Sequence, residues 1–319
     1  MKRYIWWLLA YGAALTVAPL SAHSQAAAST TVPKIAVFSS APPPPAEVEF
    51  RDGLLELGYV EGKTINIDWR RSLGTEEELQ ALARQVGREH VALIVAFWTP
   101  AARAALQATT VPVIFLAGDP LAAGLASNLA QPGQATGVSM LNSELVGKRI
   151  QLLKQLAPGI QRIVFLMNPS NPLDTRMLED ARKAGGSLGL GITPLNARNL
   201  AEMEAALQTL SRTRSSGLLV SNDLLFLANG AKLSQAVRRG KHLAIFPFKE
   251  YHKNGAFMSY GPNLNIAARK VASYVDRILK GASPSQLPIE QISQQELVID
   301  LAREIGVTYR KKYCYARMR

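Results

Sequence analysis

The sequence predicts an α/β protein built from two doubly wound parallel-sheet lobes that are joined by a hinge. Apolar, strand-like runs alternate with amphipathic helical segments along nearly the whole chain, and this alternation is typical of parallel sheets covered by helices. A segment in the middle, residues 134–172, continues directly from a strand through a helix into another strand. Four strand–helix alternations precede this segment and about as many follow it, so we interpret it as the crossing from one lobe to the other.

Apolar runs indicate the strands of the first lobe; the first run, at residues 34–39, is continuous, as expected for a parallel sheet covered on both faces, whereas Ile65, Ile67 and Trp69 alternate in the second. We predict these strands at residues 34–39, 65–69, 92–97, 111–117 and 135–140. Phe50 and Leu54 have helical spacing, and Gly58 follows them as a C-terminal cap. These residues predict the first helix, which starts near residue 46.

Two further helices of the first lobe have clear N-terminal signals. Thr75 and Glu78 form a capping box, in which each side chain satisfies an N–H group at the start of the helix. Thr99 and Pro100 directly follow the third strand; threonine is a favourable N-cap, and proline is favoured at the first helical position. The helix at residues 100–108 is therefore predicted to begin at the carboxyl end of that strand. Its free N–H groups and its dipole would form an anion site.

The helix in the crossing segment is predicted to be amphipathic. Asn142 or Ser143 can cap its first turn, because a short side-chain oxygen accepts from N–H groups that have no partner in the helix. Its buried stripe is predicted to contain Leu145, Leu152, Leu153 and Leu156. Lys148, Arg149 and Lys154 are predicted to lie away from this stripe.

The same alternation continues beyond the crossing segment. Further strands are predicted at residues 163–167, 191–195, 217–221, 243–248 and 256–261. Helices are predicted at residues 174–188, after Asn199, up to Gly240, and at residues 264–280 before a strand at 287–292. The predicted first lobe comprises residues 33–140 and about 262–292, and the second comprises residues 141–261 and about 293–308.

The two ends of the chain differ in composition from its body. Residues 1–28 have the layout of a secretory signal peptide, with two basic residues, an apolar run and a zone of small residues. Since no cysteine follows this run and no second run of membrane length occurs, we predict a soluble protein exported to the periplasm. An uncleaved leader that anchors the chain is the alternative. The only cysteine is Cys314, so no intramolecular disulfide can form.

The charge distribution bears on the choice of partners. Two positive charges in the leader and five in the last ten residues leave about +5 of the formal +12 for the body of the chain. A mildly basic body indicates a solvated surface, and no nucleic-acid partner is predicted.

Motifs for catalysis or phosphate binding occur only in the wrong context. Residues 58–64, GYVEGKT, resemble a phosphate-binding loop but have three residues between the glycines and lead from a helix to a strand. Residues 185–189, GGSLG, fit the nucleophile-elbow pattern but end a helix. No histidine of the predicted mature chain has a partner at metal-ligand spacing. Asp119 and Asp223 could form an acid/base pair, but nothing in their spacing favours catalysis over binding, so no enzyme, cofactor or metal is predicted.

Polar and small residues gather at the carboxyl ends of the predicted strands, where ligands bind in open α/β sheets. Two such half-sites that face each other across a hinge can close on a small polar ligand. The first lobe supplies Ser39, Ser40, Thr99, Gly118, Asp119, Thr136 and Gly137, and the second supplies Asn168, Asn171, Asn222, Asp223 and Tyr260. Phe97, Trp98, Phe248 and Tyr260 could stack on an aromatic ligand, with core packing as the alternative for Phe97 and Phe248.

Several strings resemble the ABC-transporter substrate-binding proteins of the tryptophan/tyrosine-type uptake group. They are GLLELGYVEGKTINIDWR at 53–70, GDPLAAGLASNLAQPGQATGVS at 118–139, KRIQLLKQLAPGIQRIVFLMNPSNP at 148–172, GAFMSYGPNL at 255–264 and RILKGASPSQLPIEQ at 277–291. The resemblance runs from about residue 32 to residue 307. It implies the periplasmic-binding-protein type I fold and a ligand held between lobes and delivered to a membrane permease, with no enzymatic activity.

The resemblance also implies which loops contact the ligand. These loops contain Ser39 and Ser40, Phe97 to Pro100, Gly118 and Asp119, Thr136 and Gly137, Asn168 to Asn171, Asn222 and Asp223, and Tyr260. The leading hypothesis is an exported solute-binding component of an ABC importer, with permease and ATPase subunits as partners. Its ligand would be a small carboxylate-bearing molecule, with an aromatic amino acid as the leading candidate. The carboxylate would sit on the N–H groups at Thr99, Pro100 and Ala101, of which proline contributes none.

Two other classes of protein remain as alternatives. One is a periplasmic ligand-sensing subunit of a signalling receptor, which neighbouring permease and ATPase genes would argue against. The other is a Rossmann-like transferase, which the leader and the missing glycine-rich phosphate fingerprint disfavour. The basic tail at residues 309–319 departs from the family pattern. We hypothesise that it results from a shifted reading frame, which resequencing the end of the gene would test.

Overall fold

A computed structural model describes residues 32–40, 45–72, 76–140, 145–210 and 216–300. The side chains of Ser40, Pro45 and Glu76 are outside this description. The predicted signal peptide, the capping residue Thr75, the helix caps Asn142 and Ser143, and the basic tail also lie outside the described residues. In the ranges that are described, no helix is long and apolar enough to span a bilayer.

Strands and helices alternate through the described chain, as the sequence predicts. The elements up to the crossing are β1 (Lys34–Ser40), α1 (Pro45–Glu56), β2 (Asn66–Ser72), α2 (Glu76–Val86), β3 (Leu93–Phe97), α3 (Thr99–Ala108), β4 (Val113–Ala117) and β5 (Ala135–Ser139). The next are α4 (Leu145–Leu156), β6 (Arg162–Met167), α5 (Pro172–Ser187), β7 (Gly191–Asn196), α6 (Leu200–Leu210), β8 (Ser216–Val220), α7 (Leu224–Ala228), α8 (Gly230–Arg239), β9 (Leu243–Phe246) and β10 (Met258–Pro262). The last are α9 (Leu264–Leu279), β11 (Glu290–Gln291) and β12 (Gln295–Ile299), with 3₁₀ turns at Lys249–Asn254 and Pro284–Gln286.

The strands form two six-stranded sheets. The first has the order β11-β5-β4-β3-β1-β2, and all of its pairings are parallel. The second has the order β12-β10-β9-β8-β6-β7 and is parallel except for the antiparallel pair of β10 and β12. The predicted fold class, two doubly wound α/β sheets, is confirmed.

Alternate residues of each central strand pack on opposite faces of the first sheet. Ile35 and Val37 of β1 join a core that includes residues of α1 and α9, whereas Ala36 and Phe38 join a core that includes residues of α2 and α3. Successive side chains of a strand point to opposite faces, so a strand covered on both faces must be apolar throughout. This arrangement explains the continuous apolar runs by which the strands were predicted.

The chain passes between the two sheets three times within residues 135–299. It leaves the first sheet after β5, returns to it between β10 and α9, and leaves it again between β11 and β12. Asn263 occupies the second passage and caps α9, since its Oδ1 accepts from the N–H groups of Asn265 and Ile266. Its Nδ2 donates to Oε1 of Glu296 in β12 at 2.7 Å, so the second and third passages are joined directly.

The structure departs from the sequence-based predictions at three elements. The predicted helix ending at Gly240 is divided into α7 and α8 at Asn229, whose side-chain Nδ2 donates to the carbonyl of Leu225 at 2.9 Å. The strand predicted at 243–248 stops at Phe246, because the following Pro247 has no N–H group for the ladder. Strand β12 was not predicted, because most of its residues are only partly buried and its sequence lacks a clear alternation.

Candidate functional site

The two sheets face each other at the carboxyl ends of their strands, and a cavity of about 60 Å³ lies between them. Its lining residues come from the segments that follow strands of both sheets. The first sheet contributes Trp98, Thr99, Pro100, Gly118, Asp119 and Met140, and the second contributes Asn171, Leu173, Asp174, Arg176, Met177, Asn222, Asp223 and Leu224. Asp119 and Arg176 also line a neighbouring, more open cavity of about 390 Å³.

Trp98 forms the wall on the side of the first sheet. Its φ of 76° is rare for a bulky residue, and such strained positions cluster at ligand clamps and active sites. Its ring centroid lies 6.3 Å from that of Phe248, which belongs to the second sheet's side of the cleft. The indole Nε1 is buried, and no residue that the structure describes forms a hydrogen bond with it. A ligand acceptor next to this indole would remove the cost of that buried donor.

The prediction that Thr99 caps helix α3 is wrong. Trp98, with its positive φ, is the N-cap residue, so Thr99 already lies inside the helix. The Thr99 hydroxyl instead accepts from the N–H group of Gly118 at 3.5 Å. The first turn still leaves the N–H groups of Thr99 and Ala101 without acceptors in the helix. The predicted anion-binding capacity therefore does not depend on the Thr99 side chain.

Two buried carboxyl groups, Asp174 and Asp223, line the second sheet's side of the cavity. Asp223 caps α7, with Oδ1 accepting from the N–H group of Leu225 at 2.8 Å. Its Oδ2 accepts from Nδ2 of Asn171 at 2.9 Å and from Nδ2 of Asn168 at 3.3 Å. Oδ2 of Asp174 accepts from the Ser221 hydroxyl at 2.7 Å and from the N–H group of Asn168 at 2.8 Å.

These hydrogen bonds decide which of the two carboxyl groups is charged. Burial raises the pKa of Asp174 to about 8, and the neighbouring charge of Asp223 adds to this effect, although the bonds from Ser221 and Asn168 oppose it. Burial also raises the pKa of Asp223, but the bonds from Leu225, Asn171 and Asn168 oppose the rise. We therefore assign the negative charge to Asp223 and the shared proton to Asp174 at neutral pH.

We expect this proton to make stability pH-dependent. The pKa of Asp174 is about 8 in the folded protein, whereas an aspartate in water has a pKa of 3.8. Between these two pH values the folded state therefore keeps a proton that the unfolded state has released. The free energy of unfolding should then fall as the pH rises through this window. Thermal unfolding of ligand-free protein at several values from about pH 5 to 8.5 should show this fall, and Asp174→Asn should flatten it.

Asp180 on the same helix provides the control for this prediction. Its side chain is 37% exposed, and Asp180→Asn should leave the pH profile of the wild type unchanged. Parallel profiles for the wild type and Asp174→Asn would contradict the assignment of the proton.

Arg149 is the largest departure from the sequence-based predictions. It was predicted to lie away from the buried stripe of its helix, but it is fully buried. It lies four residues after Leu145 and four before Leu153, and this spacing places all three on one face of α4. The sequence therefore contained a signal for this burial, namely a charged residue in register with the apolar stripe.

The guanidinium of Arg149 connects strand β10 with the segment that follows strand β8. Nε donates to the carbonyl of Tyr260 at 2.8 Å, and Nη1 donates to Oδ1 of Asn222 at 2.8 Å. Burial lowers the pKa of Arg149 to about 9, which still leaves the group charged at neutral pH. A buried positive charge thus stands directly behind Asn222, a residue that lines the cavity.

The structure brings half of the predicted ligand-binding residues to the cavity. These are Trp98, Thr99, Pro100, Gly118, Asp119, Asn171, Asn222 and Asp223. The others do not line it, and for Ser40 the side chain is outside the described part. The sequence-based selection did not include Met140, Leu173, Asp174, Arg176, Met177 and Leu224. Each of these follows a strand end or lies in the first turns of α5 or α7, so a search extended by one helical turn would have found them.

The predicted residues away from the cavity have other contacts. The Ser39 hydroxyl donates to Oε2 of Glu47 at 3.2 Å, and the Thr136 hydroxyl donates to the carbonyl of Leu287 at 2.7 Å. Phe97 packs edge-on against Phe50 with ring centroids 5.7 Å apart. The remaining members are Ala101 in the core of the first sheet, Gly137 close to Phe115, Asn168 beside Asp223, and Tyr260, whose carbonyl accepts from Arg149.

Two α/β sheets, a threefold passage of the chain between them and a cavity with polar and apolar lining residues at facing strand ends are typical of two-lobed binding proteins. The family described as "ABC transporter substrate binding protein" matches residues 34–315, and the chain belongs to this family. The family is one of solute-binding proteins rather than enzymes. Within the described residues, no group of three His, Cys, Asp or Glu side chains could hold a metal ion.

Similar proteins come from several bacteria. A tyrosine-binding protein of Clostridioides difficile is 24% identical over 258 residues, which cover 80% of this chain and 74% of that protein. A conserved domain protein from Vibrio cholerae O1 biovar El Tor has a TM-score of 0.81 and 27% identity, covering 88% of this chain and 96% of that one. An ABC domain from Streptococcus pneumoniae in complex with L-Trp has a TM-score of 0.78 and 24% identity, with coverages of 86% and 95%.

Proposed function

We propose that this chain is the exported solute-binding component of an ABC importer and that it captures an amino acid, with aromatic amino acids as the leading candidates. The observation that carries the proposal is the cavity between the sheets, which has the N-terminus of a helix on one side and a buried carboxylate on the other, with Asp119 and Arg176 also in its lining. The N-terminus of α3 approaches it from one side and the charged Asp223 from the other. An amino acid is a zwitterion, so its carboxylate complements the N-terminus of α3 and its ammonium group complements Asp223.

The carboxylate is placed at the first turn of α3. The N–H groups of Thr99 and Ala101 are free of helical acceptors, and the dipole of a ten-residue helix favours an anion there. Thr99 and Pro100 line the cavity. Since Pro100 has no N–H group, two donors of the first turn are available to the ligand.

The ammonium group is placed at Asp223. This carboxylate lines the cavity and accepts hydrogen bonds from one backbone N–H group and two asparagine side chains. No positive side chain among the described residues neutralises its charge. A buried carboxylate without a counter-ion is costly, and a ligand ammonium removes that cost. The neighbouring Asp174 is protonated and therefore does not add a second negative charge.

The apolar part of the ligand has a matching surface. Trp98, Met140, Leu173, Met177 and Leu224 line the cavity between the polar groups. The indole offers a face for aromatic stacking, and methionine side chains adapt to irregular shapes. The names of two relatives, a tyrosine-binding protein and a domain in complex with L-Trp, support an aromatic side chain.

Capture requires movement of the two sheets. The cavity of about 60 Å³ holds no more than a few water molecules, and the contact of Trp98 with Phe248 spans the cleft. We interpret this geometry as a closed form. The passages between the sheets that the structure describes, at residue 263 and at residues 292–294, would form part of the hinge that opens it.

The predicted signal peptide and the family support a function outside the cytoplasm. Members of this family typically act there, and we propose a periplasmic location for the mature chain. Its partners would be a membrane permease, which receives the ligand, and the ATPase that drives import.

Thermal unfolding of the mature chain with a ligand panel tests the proposal. A ligand at about 100 times its Kd adds about 2.7 kcal/mol to the free energy of unfolding, which corresponds to a rise of several degrees in the midpoint. We expect this rise with L-tryptophan, L-tyrosine or L-phenylalanine. Tryptamine, which lacks the carboxylate, and indole-3-propionate, which lacks the ammonium group, should have little effect.

The same panel contains the results that would contradict the proposal. A sugar or nucleoside that shifts the midpoint while no amino acid does so would overturn the ligand class. Delivery is tested separately by the ATPase activity of the permease and ATPase subunits in vesicles. The loaded binding protein should stimulate this activity.

A further inference from the structure

Arg149 presents a buried positive charge for which the described part of the chain provides no carboxylate. The side chain is fully buried, and among the described residues it donates to the carbonyl of Tyr260 and to Oδ1 of Asn222 only. Its Nη2 is buried and has no partner in the same ranges. A buried guanidinium without a counter-ion is unusual, so its presence at this place requires an explanation.

The contact with Arg149 determines which way the Asn222 side chain faces. A guanidinium has donors only, so the atom of Asn222 that meets Nη1 must be the carbonyl oxygen. The Nδ2 group then lies on the other side of the carboxamide. It is buried and has no hydrogen-bond partner among the described residues, and Asn222 as a residue lines the cavity between the sheets. The contact with Arg149 thus leaves Asn222, a residue of the ligand cavity, with one unused donor.

We propose that Arg149 is a positioning residue that fixes the Asn222 carboxamide so that Nδ2 donates to an acidic oxygen of the ligand. This inference rests on the proposed function and refines it. Helix α3 would bind the ligand carboxylate from the side of the first sheet, and Asn222 from the side of the second. The carboxylate would then hold the two sheets together in the closed form, and the charge of Arg149 would favour an anion over a neutral group.

Arginine is suited to this role because it has to serve two acceptors at once. Nε and Nη1 reach the strand ends at Tyr260 and at Asn222 from one planar group. Lysine has a single nitrogen on a flexible stem and cannot hold both contacts in the same fixed geometry. Arg149→Lys should therefore keep the charge and lose part of the orientation, whereas Arg149→Met should lose both.

The test compares L-tryptophan with L-tryptophanamide, in which a neutral amide replaces the carboxylate. Binding of both probes to the mature chain is measured by calorimetry. We expect the wild type to prefer the acid, and we expect Asn222→Ala and Arg149→Met each to reduce this preference about 10-fold. The double variant should lose no more than either single variant, because both changes remove the same donor. Arg149→Lys should recover part of the preference.

Lys148 on the same helix is the matched control. Its side chain is exposed, and Lys148→Ala should leave the affinities for both probes unchanged. A purely structural role of Arg149 predicts a different result, in which Arg149→Met changes the unfolding temperature but not the ratio of the two affinities. That result, or fully additive effects in the double variant, would overturn the inference.

A ligand-free measurement separates this inference from the proposed function. If the wild type binds neither probe, the proposed ligand class fails, and crystal structures of ligand-free wild type and Arg149→Met decide the positioning role. Rotation of the Asn222 carboxamide in the variant supports the role. An unchanged Asn222 in Arg149→Met overturns it.

Discussion

Replacing Asp223 with Asn is expected to weaken the binding of L-tryptophan or L-tyrosine by about 100-fold or more. Asp223 is buried at the cavity and, by its hydrogen bonds, is the charged member of the pair with Asp174. Removing one partner of a buried, hydrogen-bonded charge pair costs about 2–5 kcal/mol. Asparagine is as good an N-cap as aspartate, so the start of α7 should be retained and the loss should be confined to the charge.

Asp174→Asn is the matched comparison for Asp223→Asn. The two carboxyl groups line the same cavity, but Asp174 is protonated at neutral pH, and asparagine imitates a protonated carboxyl group in shape. We therefore expect a loss in affinity of less than about 5-fold. Calorimetric titration at pH 7 measures both variants, with far-UV circular dichroism as the check on folding. Equal losses in the two variants would contradict the assignment of the charge to Asp223.

Replacing Gly137 with Ala is expected to lower the free energy of unfolding by about 3 kcal/mol or more. Gly137 lies in β5 with φ at 150°, and an added Cβ would meet the carbonyl oxygen of Phe115 at 2.1 Å. The clash is with the backbone of the neighbouring strand β4, so a side-chain rotation cannot relieve it. Thermal unfolding should show a midpoint lower by about 6 °C or more.

Gly191→Ala provides the control in the second sheet. Gly191 begins β7, and the atom nearest to an added Cβ is the carbonyl oxygen of Gln161 at 3.9 Å. The change should alter the free energy of unfolding by less than about 1 kcal/mol. The pair also tests the sequence-based hypothesis that Gly137 contacts the ligand. A Gly137→Ala variant of normal stability that no longer binds would favour that hypothesis over the packing role.

The fold class could be predicted because its signals are local. Strands β3 and β4 are covered on both faces, so every residue in them is apolar, and the sequence shows this directly. Helical spacing and caps are likewise properties of residues a few positions apart. Strand β12 has no such signal, because it is an edge strand whose place depends on pairing with β10. Its existence and its antiparallel direction could not be predicted locally.

The general position of the candidate site could also be predicted, since strand carboxyl ends are recognisable and ligands bind there in α/β folds. Trp98, Asn222 and Asp223 were selected in this way and line the cavity. The roles of individual residues could not be predicted. Ser39 and Thr136 were selected by the same rule, yet their hydroxyl groups donate to Glu47 and to the carbonyl of Leu287 within the first lobe.

The sequence by itself determined the alternation of strands and helices, the point of crossing near residue 140, and the family to which the chain belongs. These depend on residues that are neighbours in the chain. Only the tertiary structure decided that Arg149 is buried behind Asn222 and that Asp174 is buried close enough to Asp223 for its pKa to be raised by that charge. Both depend on groups about 50 residues or more apart, because charge and burial are set by what the fold brings together in space.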